Sequence, residues 1–437
     1  MRCEDIAARA KRASPTLGSL PTDGKNEALR ALRRGLEDSS EKILKANLRD
    51  QERAEKEGLS GPLRKRLKFD GEKLREALAG IDSLIALPDP VGKVLSAREL
   101  DRGLELYQVT CPIGVVGVVF ESRPDALVQI SSLCLKSGNA VLLKGGREAA
   151  ETNRALFEAI DRAGGRAGLP PGWIGLLETR DDVTAMLALD RYIDLIVPRG
   201  SNEFVRHIMR NTTIPVMGHA DGVCHIYVDG EADLELAEKV TVDAKTQYVA
   251  VCNAVETLLV HRDIAGAFLP RLKAAMDARG VELRGCPETR KIISCAAATE
   301  EDWTTEYLDL VLAVKIVGSQ EEAEEHINTM GSRHTDGIIT GNTARALRFM
   351  DRVDSADVFW NASTRFSDGY RYGLGAEVGI STGKLHARGP VGLEGLVVYK
   401  WRLYGSGQIV GDYASGRKSF THRELPKKLP HGGQVGS

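Results

Sequence analysis

One of the seven cysteines stands apart from the rest. Cys252, in KTQYVAVCNAVETLLVH (residues 245–261), follows a polar cluster running from Asp243 to Gln247, precedes Asn253, and lies between two β-branched apolar runs. Taken alone, a thiol in such a place is a small buried hydrophobe. It becomes a nucleophile when its surroundings favour the thiolate and set it beside an electrophile. A second group, PVMGHADGVCHIYVD, gathers His219, Asp221, Cys224 and His225. Its spacing fits no zinc pattern, and alternation along a strand would face Cys224 and His225 apart, so no metal is expected there. A third, NASTRFSDG, sets Asn361, Ser363 and Thr364 beside Arg365 in one short polar loop. A guanidinium fork there can pair bidentately with a small carboxylate. Arg123 in FESRPD, and Lys384 and Arg388 in STGKLHARG, are further basic residues placed to meet an anion.

These residues need elements to hold them. From residue 113 onward apolar strands alternate with helices: IGVVGVVF, ALVQISSLCLKSG, NAVLLKGG, AAETNRALFEAIDRAGG, WIGLLE, VTAMLALD, IDLIVPRG, SNEFVRHIMRNT and CHIYVD. Such alternation predicts an α/β fold with a parallel sheet covered on both faces. Past Lys245 the pattern restarts with AVETLLVH, a helix near 263–279, LVLAVKIV, a helix from Ser319 and DGIITG, which predicts a domain boundary near 245. Residues 1–90 are charged, rich in Ala and Leu and helical in period. Residues 96–112 read as a hairpin turning at Asp-Arg-Gly, and the glycine-rich stretch 369–395 reads as loops that shape a site or a tight crossing.

A doubly wound sheet suggests a nucleotide. No GxGxxG closes the first strand, and GISTGKL is too short for a P-loop and places Leu385 where magnesium needs a hydroxyl. Two junctions do end a buried strand in glycine and open a helix, VLLKGGREAAETN and LIVPRGSNEFV. Free N–H groups at such helix starts suit a phosphate, and Lys144 suits a ribose hydroxyl or phosphate. Lys plus Arg number 59 against 61 Asp plus Glu, a net charge of -2, so no global field recruits nucleic acid or an anionic membrane. An odd cysteine count without CxxC pairs predicts free thiols in the cytoplasm. The N-terminus lacks the apolar stretch of a signal peptide, and no segment has the length of a membrane span.

Seven blocks, in order, carry a resemblance: PIGVVGVVFESRPD, KSGNAVLLKGGREA, DLIVPRGSNEFVR, PVMGHADGVCHIYVD, VCNAVETLLVH, FWNASTRFSDGYRYGLGAEVGIST and HARGPVGLEGL. Across nearly the whole chain the sequence resembles the gamma-glutamyl phosphate reductases of the aldehyde dehydrogenase superfamily. The resemblance implies two doubly wound α/β domains with a small β-hairpin oligomerisation arm. The NADP-binding domain would cover 1–245, with 386–402 returning to it and the arm near 96–112. The catalytic domain would cover 246–385, and 403–437 would form a C-terminal oligomerisation segment and tail. A lone ribbon is marginal in water, which also points to a homodimer or higher homo-oligomer.

The resemblance further implies NADPH-dependent reduction of L-glutamyl 5-phosphate to glutamate 5-semialdehyde, the second step of proline synthesis from glutamate. Cys252 would be the nucleophile, with its own N–H and Ser122 stabilising the oxyanion. Lys144, with Gly145, would hold the adenosine ribose, Gly200 and Ser201 the pyrophosphate, and Glu306 the nicotinamide ribose. Arg365 with Asn361, Ser363 and Thr364 would take the substrate's amino-acid end, and Lys384, Arg388 or Arg123 its anions. Where hydrolytic members carry a glutamate base, the matching region reads Gly218, His219, Ala220, which spares a thioester from water. A docked glutamate 5-kinase stays an open partner. The rival readings are a hydrolytic aldehyde dehydrogenase and a catalytically silent scaffold of the same fold.

Overall fold

The computed structural model describes residues 2–59, 61–219 and 221–430, without the side chains of Pro62 and Arg180. The chain forms two compact units: 1–217 with 374–379 and 391–437, and 218–373 with 380–390.

The first unit is built on a parallel sheet of four strands, in the order Ile174–Leu177, Ala140–Lys144, Val115–Phe120, Leu195–Arg199. The central two are buried at every position, which explains their unbroken apolar sequence. The N-terminal helices form as the periodicity predicts. Cys3–Gly18 buries Ala7, Ala10, Ala13 and Leu17, and Thr22–Asp38 buries Ala28, Leu29, Leu32 and Leu36, each a stripe at three- and four-residue spacing.

The hairpin also forms, from Val94–Asp101 and Leu104–Pro112, with Gly103 at φ 72° supplying the left-handed turn residue. It is not a lone ribbon. Val397–Tyr404 pairs antiparallel with the second strand and Arg423–Glu424 with the first, giving a sheet of four. The expected division at 402/403 therefore falls inside a strand.

The second unit holds a seven-stranded sheet. Five of its strands run in the order Val311–Val317, Val255–His261, Cys224–Val228, Thr335–Ile339, Asp357–Trp360, all parallel, the last at one edge. Cys224–Val228 thus belongs here, so the boundary lies at 217/218 and not near 245. Alternation feeds two cores. Ile226, Val228, Leu258 and Val260 pack with Phe268, Leu269, Leu272 and Met276 of the helix Arg262–Asp277. Tyr227, Leu259 and Ile338 pack on the opposite face with Ile327, Ala346 and Phe349. The glycine-rich stretch is where the chain passes repeatedly between units, and Gly373, Gly375 and Gly389 take positive φ there.

His326, on the helix Gln320–Met330, is buried beside Trp303 and His225, with the Lys315 ammonium 3.1 Å from Nδ1. Burial first, then the His225 and Lys315 charges, push its pKa down to about 3. A histidine depressed in the fold adds full stability above its unfolded pKa, about 6.5, and loses it as pH falls toward the folded value. Denaturant unfolding between pH 7.5 and 4.5 should show stability dropping by at most about 1.4 kcal/mol per pH unit from this group. His326→Asn should flatten that limb, and an unchanged slope would remove His326 as its source.

Candidate active site

Three neighbouring parallel strands of the second unit begin side by side. Cys252 lies in the turn before Val255–His261, Cys224 opens Cys224–Val228, and His334 immediately precedes Thr335–Ile339. This register brings residues far apart in sequence together. His334 Nε2 lies 3.1 Å from Cys252 Sγ. Its Nδ1 is 2.8 Å from Thr335 Oγ1 and 3.8 Å from Cys224 Sγ, while the Cys224 thiol donates to the Cys252 carbonyl at 3.1 Å. From this network we assign the ring proton to Nδ1, which leaves the Nε2 lone pair facing the Cys252 thiol. A thiol with an imidazole acceptor is the pair that nucleophilic catalysis needs.

The turn is packed from beneath and behind. A Cβ at Gly222 would lie 2.1 Å from the Cys252 carbonyl oxygen, so only glycine lets the two backbones meet. The loop's ends are clasped by Lys245, in the last turn of Leu234–Thr246, and Glu256, which are fully buried 2.5 Å apart. Cys224 and His225 face opposite ways, as alternation predicts: the His225 ring meets Asp336 at 3.0 Å. His219 does reach the site. Its Nδ1 is 2.9 Å from the Ile380 carbonyl, and its ring stands edge-on to His334 at 4.9 Å. Gly218 accepts from Thr382 N at 3.4 Å, and Ala220 lies outside the described residues.

Arg365 is nearly buried. Its Nε donates to Gln247 Oε1 at 3.0 Å, and Cys252 and Asp243 are among the groups whose charges act on it. Its Nη1 and Nη2 edge has no hydrogen-bond partner among the described residues.

Its expected companions have other work. Asn361, at φ 55°, spends its side-chain amide on both backbone groups of Thr340, at 3.0 Å each. Ser363 Oγ accepts from Arg365 N at 3.3 Å, and Thr364 is fully buried. The side chains of Asn361 and Ser363 brace the loop, while the buried Thr364 hydroxyl has no hydrogen-bond partner among the described residues. Lys384 and Arg388 are likewise committed, both paired to Asp354 at 2.7 and 3.0 Å. Glu306 is half-buried in the loop after the 3₁₀ turn Glu300–Thr304, and its charge acts on Glu256.

In the first unit the two glycine junctions lie at the carboxyl ends of parallel strands, where α/β sheets take nucleotides. Lys144 is buried, with Nζ 2.6 Å from the Gly145 carbonyl. Ser201 caps the helix Asn202–Arg210, and its N–H donates to the Glu121 carboxylate at 3.1 Å, packed against Gly200. That helix start therefore already holds an anionic group, which fits a phosphate. Ser122, at φ 45°, gives both its N–H and its hydroxyl to Glu148 Oε1, at 2.6 and 2.8 Å. With both donors spent on a carboxylate, it is not placed here as an oxyanion donor. Arg123 is exposed at the start of Pro124–Lys136.

Residues 1–302 match the model of the aldehyde dehydrogenase family. A gamma-glutamyl phosphate reductase from Pelotomaculum thermopropionicum is 66% identical over 98% of both chains. One from Acetivibrio thermocellus is 61% identical over 98% of this chain and 100% of its own. The chain belongs to the gamma-glutamyl phosphate reductase family of aldehyde dehydrogenases. The crystal structure of the Thermotoga maritima gamma-glutamyl phosphate reductase superposes with a TM-score of 0.92 at 40% identity, covering 94% of this chain and 100% of that one. An acetylating aldehyde dehydrogenase from Geobacillus thermoglucosidasius, 17% identical with a TM-score of 0.63 over 93% of this chain and 97% of its own, shares the fold. Membership brings a nicotinamide cofactor. No helix among the described residues is long and apolar enough to cross a membrane.

His334 is the residue that sequence reasoning missed. Its signal was a histidine at the entry of the strand read from DGIITG. His334→Gln should slow alkylation of Cys252 by iodoacetamide and cut turnover by about 10²-fold or more, the usual span for a lost acid–base group. Wild-type rates in both measurements would remove His334 from the chemistry. Gly222→Ala should impair both by displacing the Cys252 backbone.

Proposed function

We propose that the chain reduces L-glutamyl 5-phosphate to L-glutamate 5-semialdehyde and phosphate with NADPH, in proline synthesis from glutamate. The observation that carries this is Cys252 Sγ set 3.1 Å from His334 Nε2 in a chain of this family.

His334 takes the thiol proton, and the thiolate attacks the acyl carbon. The carbon–oxygen bond to phosphate breaks, and His334 returns its proton to the departing oxygen, so that a thioester and hydrogen phosphate result. A thioester carbonyl accepts hydride far more readily than a carboxylate does. The bound cofactor supplies that hydride. The oxyanion then formed meets the Cys252 N–H, for which the described residues offer no acceptor. Its collapse breaks the carbon–sulfur bond, frees the aldehyde and leaves a thiolate that solvent reprotonates. Arg365 holds the α-carboxylate on its open edge while Gln247 fixes the rotation of the guanidinium. Lys144, Gly145, Gly200 and Ser201 would hold the ribose and phosphates of NADPH, and Glu306 the nicotinamide ribose. The preference for the phosphorylated cofactor follows the resemblance. The imidazoles near the sulfur activate the thiol without a carboxylate base for water, so transfer to phosphate is favoured over hydrolysis.

The strand Val397–Tyr404 lies at the edge of its sheet and exposes Tyr399, Trp401 and Leu403. An apolar edge of this kind favours pairing with a second copy, and we assign the homodimer to it. Its seven free thiols suit the cytoplasm.

In the reverse direction, NADPH should form from pyrroline-5-carboxylate and NADP only when inorganic phosphate is present. An equal rate in phosphate-free buffer would make the enzyme hydrolytic. Arg365→Ala should raise KM for the semialdehyde by ten-fold or more and leave NADPH binding unchanged, measured by fluorescence. Parallel loss of both would remove Arg365 from the substrate site.

A further inference from the structure

His219, Cys252 and His334 each present a ligand atom, and the three atoms all lie within 4.8 Å of one another. We propose that they form a binding site for a single zinc-class divalent cation, whose occupation reversibly blocks the enzyme. The metal site stands on coordination chemistry alone, and the block rests on the roles proposed above for Cys252 and His334.

The donor set is one thiolate and two imidazoles, the mixture that selects borderline-soft ions over calcium or magnesium. Both rings are oriented as in metal sites. The His219 Nδ1 proton points to the Ile380 carbonyl at 2.9 Å, and that of His334 to Thr335 Oγ1 at 2.8 Å, so the lone pair each ring can offer an ion lies on Nε2. A hydrogen bond from the far nitrogen to a protein oxygen is what fixes the tautomer of a ligating histidine. With Zn–S about 2.3 Å and Zn–N about 2.0–2.1 Å, a tetrahedral ion sets sulfur and nitrogen about 3.6 Å apart. His334 and Cys252 therefore need to part by only about half an ångström from their 3.1 Å contact. Three ligands leave one position for water. Cys252 and His219 are half-buried and not sealed, which gives an ion a way in. Binding expels the Cys252 thiol proton, and the metal–sulfur bond replaces the hydrogen bond to His334. The sulfur and the base are then both consumed, so catalysis stops until the ion leaves.

Cobalt(II) added to the metal-free, full-length protein tests this without turnover. One equivalent should produce the visible bands of a tetrahedral ion and a near-ultraviolet thiolate charge-transfer band, and zinc should erase both. Cys252→Ser should abolish the charge-transfer band, and His219→Ala should weaken cobalt binding by ten-fold or more. Should either variant fail to fold, zinc protection of Cys252 from iodoacetamide in the wild-type chain, read by mass spectrometry, decides the question. An octahedral spectrum without charge transfer, unchanged binding in His219→Ala, or alkylation of Cys252 at full rate under saturating zinc would overturn the proposal. Metal-free protein that gives the cobalt spectrum on titration but shows no reductase activity before the ion is added would instead count against the functional reading.

Discussion

The pairing of three parallel strands in the second unit is the constraint on which the site depends. Thr257 stands opposite His225, and His225 opposite Asp336. Those registers deliver the turn of Cys252, the start of Cys224–Val228 and His334 to one line at the amino ends of the strands. A slip of one residue in either ladder would turn every side chain of that strand to the other face. Buried Tyr227 and Leu259 on one side, with Ile226 and Leu258 on the other, make such a slip prohibitive. The sulfur–imidazole contact is thus held by the same alternation that fills the two cores.

The candidate cofactor and acyl-transfer residues lie at different ends of their own sheets, carboxyl in the first unit and amino in the second. In the first, glycine junctions follow the strands and offer helix starts at the carboxyl ends, where an anion is met by backbone N–H groups. In the second, the side chains proposed to react precede the strands. Binding a cofactor needs close backbone approach and gains from glycine. Transferring an acyl group needs side chains in fixed rotamers and gains from a rigid sheet directly behind them. The buried imidazole of His334 and the glycine at 222 both serve that second need.

What the sequence made legible follows from how local each signal was. The βα alternation, the helical stripes of residues 1–90 and the hairpin at Gly103 are all short-range patterns, and they stand. Cys252, the proposed nucleophile, stood out through the blocks around it, and Arg365 through its polar neighbours. His334 was not, because nothing within its own segment distinguishes it; parallel pairing brings it to a cysteine 82 residues away. The domain boundary was missed for the same reason, since Cys224–Val228 reads identically whichever sheet it joins. Asn361 misled through ambiguity. A polar residue in a loop reads as a ligand, whereas its positive φ and its two bonds to Thr340 show an asparagine chosen for the backbone it permits.

The clasp between Lys245 and Glu256 shows why a buried charge pair can persist beneath the Cys252 loop. Burial acts on both partners in the same sense, pushing Glu256 up to about 7 and lowering Lys245, so each alone would shed its charge. Well-packed hydrocarbon would often serve stability equally well at such a place. Hydrocarbon, however, tolerates sliding, whereas a hydrogen-bonded pair at 2.5 Å has one geometry. The Glu256 carboxylate also accepts from Leu308 N, at 3.3 Å, and the Lys245 ammonium faces the Tyr307 ring. Two ends of the Cys252 turn and the loop carrying Glu306 are therefore tied to one point. The directional bond holds the sulfur against its imidazole, and removing either partner alone would leave an uncompensated polar group in the core, at a cost of about 3–5 kcal/mol.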